Sequence, residues 1–238
     1  MDGCSRRTFL SAVSAVSLTG LAGGSAFAAD QCAVFDKARQ SAITPQEALG
    51  RLEDGNARFV TGKTVNCDLM AQVRATASGQ APFAAIVGCI DSRVPPELVF
   101  DQSIGDIFSA RVAGNFVNTD IIGSLEFATR LAGAKLIVVL GHTECGAIKG
   151  AIDNAQLGNL TATLSNIKPA VEQASGVPGE HSSKNPQLVQ AVADINAKLA
   201  AKLLLDRSPV LTELVEAGAL KVVSAMHDVS SGRVSFFE

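Results

Sequence analysis

Phe83-Ala84-Ala85-Ile86-Val87-Gly88-Cys89-Ile90-Asp91-Ser92-Arg93 decides the fold class: an unbroken apolar run ends on a glycine and delivers a cysteine. A short run of this kind, with no alternating polar residues, reads as a strand buried on both faces, as in parallel sheets. Lys135-Leu136-Ile137-Val138-Val139-Leu140-Gly141-His142 repeats the design and ends on a histidine, with Thr143-Glu144-Cys145-Gly146-Ala147 behind it. Ligands of an open α/β sheet gather beyond the carboxyl ends of its strands. The two runs are therefore expected to bring Cys89, His142 and Cys145 to one rim, although they lie far apart in sequence. Glycines 88, 141 and 146 flank these residues, which suits tight turns and close backbone approach.

Working outward, residues 107–112 and 220–225 read as further strands. Helical patterns near residues 120–131, 146–154, 160–171, 186–205 and 210–217 alternate with the strands. That alternation predicts an α/β fold, a parallel β-sheet core flanked by helices. Arg233-Val234-Ser235-Phe236-Phe237 is a possible edge strand. Thr44-Pro45-Gln46-Glu47 starts a helix, with an N-cap threonine, proline at the first helical position and glutamate at the third. The pattern continues through Leu49, Leu52 and Phe59 and predicts an N-terminal helical arm.

Two thiols and an imidazole form a donor set that zinc takes readily. Three protein ligands leave the fourth tetrahedral position for water, whose pKa the metal lowers to roughly 7. A closed structural site is the competing reading, but it wants four Cys or His in short paired spacings, and no fourth is well placed here. A disulfide between Cys89 and Cys145 would leave His142, Asp91 and Arg93 without a role. Asp91, two residues beyond a ligand, can either bind the metal and close the site or accept a hydrogen bond from the water. Arg93, with its fixed fork of donors, can hold Asp91 in a bidentate pair away from the metal. The alternative is an ordinary surface ion pair.

Gly88-Cys89-Ile90-Asp91-Ser92-Arg93-Val94-Pro95-Pro96-Glu97, Arg111-Val112-Ala113-Gly114-Asn115 and Gly141-His142-Thr143-Glu144-Cys145-Gly146-Ala147 occur in order and at family spacing, and with them the chain resembles the β-class carbonic anhydrases over residues 44–238. The resemblance implies reversible hydration of carbon dioxide to bicarbonate and a proton, with Zn2+ held by Cys89, His142 and Cys145. It implies four parallel strands with a fifth at one edge, and a homodimer or tetramer in which N-terminal helices clasp the partner subunit. It assigns Gln80 a hydrogen bond to bicarbonate, Gly146 a backbone N–H for the same ligand, and Phe108 and Phe127 the apolar carbon dioxide pocket, Phe127 reaching in from the partner. Phe127 departs from the tyrosine expected there, so the wall survives without the hydroxyl; ordinary core packing is the competing reading for both phenylalanines. A second branch of the family binds inhibitory bicarbonate with Trp, Arg and Tyr. Only Arg111 matches that trio, Ile86 occupies the Trp position, and the chain contains no Tyr. His181 and His227 read as a solvated loop residue and a core or edge residue rather than as proton relays.

With 238 residues, 47% of them hydrophobic, the chain can build one substantial core, and no Pro- or Ser-rich linker divides it. Its net charge is −3, and loss of Asp2, Arg6 and Arg7 with a leader would make it one unit more negative. No basic, aromatic-studded stripe points to nucleic acid. Ser5-Arg6-Arg7-Thr8-Phe9-Leu10, a weakly apolar stretch and Ala26-Phe27-Ala28 resemble a twin-arginine export signal over residues 1–28, with the enzyme domain over 29–238. A periplasmic location and an encounter with the twin-arginine machinery are the expectation, with no stable membrane anchor, because the stretch has few large apolar residues. Export in the folded state suits the site, since both thiols can capture metal before meeting an oxidising compartment. Cys32 and Cys67 have no role in it; they are free to pair, but sequence alone does not bring them together. Two rival functions remain: a hydrolase of carbon disulfide or carbonyl sulfide on the same scaffold, separable by turnover on those gases, and a non-catalytic zinc-binding dimer, against which intact Asp91, Arg93 and Gln80 argue.

Overall fold

A computed structural model describes residues 32–237; the expected export signal lies outside them. In chain order the elements are α1 (Lys37–Ala42), α2 (Pro45–Val60), α3 (Leu69–Thr76), β1 (Ala84–Gly88), α4 (Pro96–Val99), β2 (Ile107–Arg111), α5 (Thr119–Glu126), β3 (Leu136–His142), α6 (Gly146–Ile152), α7 (Gly158–Ser165), α8 (Lys168–Gln173), α9 (Pro186–Arg207), α10 (Pro209–Glu216), β4 (Lys221–His227) and β5 (Val234–Phe236). A π-helical turn, Phe127–Leu131, extends α5. The sheet order is β2-β1-β3-β4-β5. The first four strands are parallel and β5 runs antiparallel to β4, the edge strand expected from the C-terminal pattern.

Side-chain alternation explains why the central strands are apolar throughout. Ala84, Ile86, Leu136, Val138 and Leu140 face Leu49 and Leu52 of the arm, together with Phe35, Phe83 and Phe100. Ala85, Val87, Ile137 and Val139 face the opposite way, into Leu125 of α5, Ala197 and Leu204 of α9 and Leu211 of α10. With both faces covered by helices, neither set of positions can be polar. The arm starts as its sequence demands: Thr44 Oγ1 accepts the Glu47 N–H at 3.2 Å while a Glu47 carboxylate oxygen accepts the Thr44 N–H at 2.8 Å. Its apolar stripe is buried on the sheet of its own chain, so within one chain the arm is a lid over one face.

Where boundaries differ from the sequence pattern, local chemistry gives the reason. The single helix expected over 160–171 is two, α7 and α8, because Pro169 in the first turn of α8 has no N–H to continue a preceding helix. The short helices α1 and α3 carry little periodicity; Asp36 and Asp68 cap them by accepting the N–H groups of Arg39 and Ala71. Cys32 and Cys67 form a disulfide, Cα atoms 5.5 Å apart, tying the chain ahead of α1 to the loop between α2 and α3. Closing 35 residues of sequence separation stabilises by about 4 kcal/mol on a chain-entropy account.

Candidate metal centre

β1 and β3 are neighbours in register, Gly88 opposite Leu140, so the residues that leave their carboxyl ends meet at one rim. Cys89 comes directly after β1, His142 closes β3, and Cys145 arrives after one turn in which Glu144 adopts φ of 56°. The donor atoms of Cys89, His142 and Cys145 lie within 4.8 Å of one another, and all three residues are buried. The two sulfurs are 3.9 Å apart. Two sulfurs bonded at about 2.3 Å to a tetrahedral zinc stand about 3.8 Å apart. His142 Nδ1 is tied to the Thr143 carbonyl at 2.9 Å, which leaves Nε2 as the free ligand atom, and Nε2 is buried without a hydrogen-bond partner among the described residues. A buried orphan nitrogen beside two thiols, with Nδ1 oriented by a backbone carbonyl, fits zinc. Neither Cys89 nor Cys145 is in a disulfide.

The two sulfurs are within hydrogen-bonding reach of each other. Cys89 is drawn down to about 4, chiefly by the Cys145 S–H that bonds to it and further by His142 and the Gly114 N–H, against the effect of burial. Cys145 is pushed up by the same bond and by burial. A bound dication would be balanced by two thiolates, with the imidazole as a neutral third ligand.

Asp91 stands beside this cluster, one carboxylate oxygen 3.9 Å from His142 Nε2. Arg93 holds it: Nε donates to Oδ1 at 2.9 Å, Nη2 to Oδ2 at 2.8 Å and the backbone N–H to Oδ1 at 3.0 Å. These bonds, the side-chain fork first, keep the Asp91 carboxyl well below the usual range. Arg93 Nη2 also donates to the Glu144 carbonyl at 3.3 Å, linking the two ligand loops.

Three further residues support the cluster. Arg111 donates from Nε to the Cys89 carbonyl at 2.8 Å and from Nη2 to the Asp91 carbonyl at 2.6 Å, so it braces the ligand loop. The Gly114 N–H donates to Cys89 Sγ at 3.3 Å. Thr143 is gripped from β4: its N–H donates to the His227 carbonyl at 2.9 Å and its hydroxyl accepts the Val229 N–H at 3.1 Å. His227 is buried beside His142 in strand register, and both its ring nitrogens lack hydrogen-bond partners among the described residues. His181 is exposed in a loop.

The other residues expected at the site divide into two groups. Gly146 begins α6 next to Cys145 and is exposed on the same rim. Gln80 precedes β1, at the opposite end of that strand from Cys89, and is exposed. Phe108 pairs in register with Ala85, four residues or roughly 13 Å of strand before Cys89. Phe127 meets Phe108 edge-on, ring centroids 6.3 Å apart, and is 51% exposed. One chain therefore holds the donors and the Asp91–Arg93 pair together, with Gln80, Phe108 and Phe127 at a distance. Ile86 is fully buried in the sheet, and Arg111 is committed to the ligand loop.

The carbonic anhydrase family's sequence pattern matches residues 84–234. The chain is 33% identical over 192 residues to carbonic anhydrase 2 of Mycobacterium tuberculosis, covering 79% of this chain and 91% of that protein. It is 32% identical over 169 residues to a carbonic anhydrase of Pseudomonas aeruginosa, covering 68% and 76% respectively. Among solved structures it is similar to a tetrameric β-carbonic anhydrase of the ascomycete Sordaria macrospora, with TM-score 0.60 and 27% identity over 71% of this chain and 90% of that one. The match spans the strands that carry all three donors, and the chain belongs to the β-class carbonic anhydrases.

Proposed function

We infer that this chain catalyses the reversible hydration of carbon dioxide to bicarbonate and a proton. The observation that carries the reading is the bidentate Arg93 grip on Asp91 beside a three-donor cluster: the nearest carboxylate is held by an arginine, so a fourth position stays available to water. Zinc on Cys89, His142 and Cys145 would supply the Lewis acidity that makes water a nucleophile at neutral pH. Asp91, ionised and fixed, orients the reacting water by accepting its hydrogen bond, and Arg93 keeps that carboxylate in place. Gly146 offers its backbone N–H to bicarbonate from the same rim.

Gln80, Phe108 and Phe127 take part from a second copy of the chain, Gln80 by hydrogen bonding bicarbonate and the two phenylalanines by walling an apolar pocket. The distance of these residues from the donors of their own chain and the exposure of Phe127 support this reading. The tetrameric Sordaria relative supports a homo-oligomer.

The mature enzyme, residues 29–238, is an exported periplasmic protein delivered by the twin-arginine pathway after removal of residues 1–28. The Cys32–Cys67 disulfide supports an oxidising destination, and no helix among the described residues is long and apolar enough to cross a membrane. Proton release from carbon dioxide by the zinc-loaded mature protein tests the activity, with carbon disulfide and carbonyl sulfide run alongside. Stoichiometric zinc without acceleration above buffer would overturn the reading, and turnover of the sulfur gases alone would reassign the substrate.

A further inference from the structure

The long helix α9 reaches the metal cluster through one buried side chain. Asn196 is 4% exposed, and its Nδ2 donates to the Gly114 carbonyl at 2.8 Å. The N–H of that same glycine donates to Cys89 Sγ at 3.3 Å. Gly114 has a positive φ of 88°, and it is this residue's own backbone that joins the carbonyl Asn196 holds to the N–H that touches the sulfur. Only glycine fits: a Cβ at position 114 would stand 2.5 Å from Ile167 Cδ1 and 3.3 Å from Ala147 Cβ. Ile167 presses on the loop from one side and Asn196 anchors it from another, and the remaining freedom of the Gly114 N–H is directed at Cys89.

An N–H bonded to a thiolate stabilises the ionised sulfur and holds it in one place, so it keeps the ligand ready for a bound metal and tunes the metal's Lewis acidity. Asn196 is linked to Cys89 through the Gly114 peptide. We propose that Asn196 is a positioning residue: by holding the Gly114 carbonyl it fixes the N–H···S hydrogen bond on Cys89 and thereby sets how strongly that thiolate donates to zinc. The proposal rests on the zinc assignment above.

Asn196→Leu keeps the approximate volume and removes the donor. Zinc affinity of the mature protein, measured against a chelator, should fall about 10- to 100-fold, the usual effect of losing an outer partner of a ligand. In the cobalt-substituted protein the thiolate-to-metal charge-transfer band should shift relative to the parent. Asn56 is the control: it is equally buried, and its Nδ2 donates to the Val99 and Gly232 carbonyls at 3.0 and 2.9 Å, away from the cluster. Asn56→Leu should destabilise the fold while leaving the cobalt band at the parental position. An Asn196→Leu protein with parental zinc affinity and band position would overturn the proposal, as would an equal band shift in Asn56→Leu. If Asn196→Leu does not fold, the parent decides. With cadmium-113 in the site, the Gly114 amide proton should show coupling to the metal through the hydrogen bond, and an uncoupled Gly114 amide would refute the linkage. Failure of the parent to bind one equivalent of metal would instead overturn the zinc assignment.

Discussion

Helix α2 contains two internal glycines, and replacing each by alanine should move stability in opposite directions. Inside a helix glycine is about 0.5–1 kcal/mol worse than alanine, because its backbone loses more freedom on folding. Propensity alone would therefore make both changes beneficial. At Gly50 a Cβ meets nothing within 4 Å, so Gly50→Ala should gain that amount and raise Tm by roughly 1–4 °C for a domain of this size. At Gly55 a Cβ would lie 1.9 Å from the Phe100 carbonyl oxygen and 2.8 Å from Gln102 Nε2. Phe100 is fully buried and cannot retreat. The helix must instead back away by about 1 Å or more to restore ordinary contact, drawing Leu49 and Leu52 out of the sheet face and stretching the 3.0 Å bond from Asn56 to the Val99 carbonyl. Overpacking costs about 1–3 kcal/mol and a weakened buried hydrogen bond about 1 kcal/mol more. Subtracting the propensity gain leaves a loss of about 1–3.5 kcal/mol, a fall of roughly 2–14 °C in Tm. Thermal and guanidinium unfolding of the mature protein, both variants beside the parent, measure the signs. A Gly55→Ala protein as stable as the parent would refute the docking of α2 on α4.

Cys89→Ser or Cys145→Ser should abolish stoichiometric zinc and activity together, because a neutral hydroxyl poorly replaces a thiolate; metal analysis beside the hydration assay checks this, and near-parental zinc would remove the ligand assignment. Arg93→Ala should keep zinc but lower activity at least 10-fold on the scale of lost outer partners, since Asp91, 3.9 Å from His142 Nε2, is then free to occupy the water's position. A crystal structure of the zinc-loaded variant with Asp91 still held aside would defeat that gate. Lysine at both Arg6 and Arg7 should stop export and leave active enzyme in the cytoplasm; unimpaired periplasmic accumulation on fractionation would reject the twin-arginine assignment.

The metal donors were legible in the sequence because a strand end is a local feature: Phe83–Gly88 and Leu136–Leu140 are apolar at every position, and the residues next in the chain must emerge at the rim. The Asp91–Arg93 pair was legible for the same reason, since two residues of separation confine the partners whatever the rest of the chain does. The arm announced itself through Thr44, Pro45 and Glu47, whose capping bonds are local. The division of the 160–171 stretch into two helices was also encoded, in Pro169, although apolar periodicity ran through it.

Other features depend on contacts that no local pattern specifies. Cys32 and Cys67 meet because Phe35 and α2 fold back over the sheet. Arg111, Gly114, Thr143 and Asn196 support the cluster through backbone carbonyls and amides, groups that every residue carries, so no residue type marks the partner. Gln80, Phe108 and Phe127 match the expected residue types, yet strand direction sets them away from the donors of their own chain. Sequence by itself determined the three residues that cluster, the sheet class and the carboxylate beside them, because each is dictated by covalent neighbours and periodicity. Tertiary structure alone decided which backbone groups orient those donors, because hydrogen bonds between distant segments exist only after the helices have packed on both faces of the sheet.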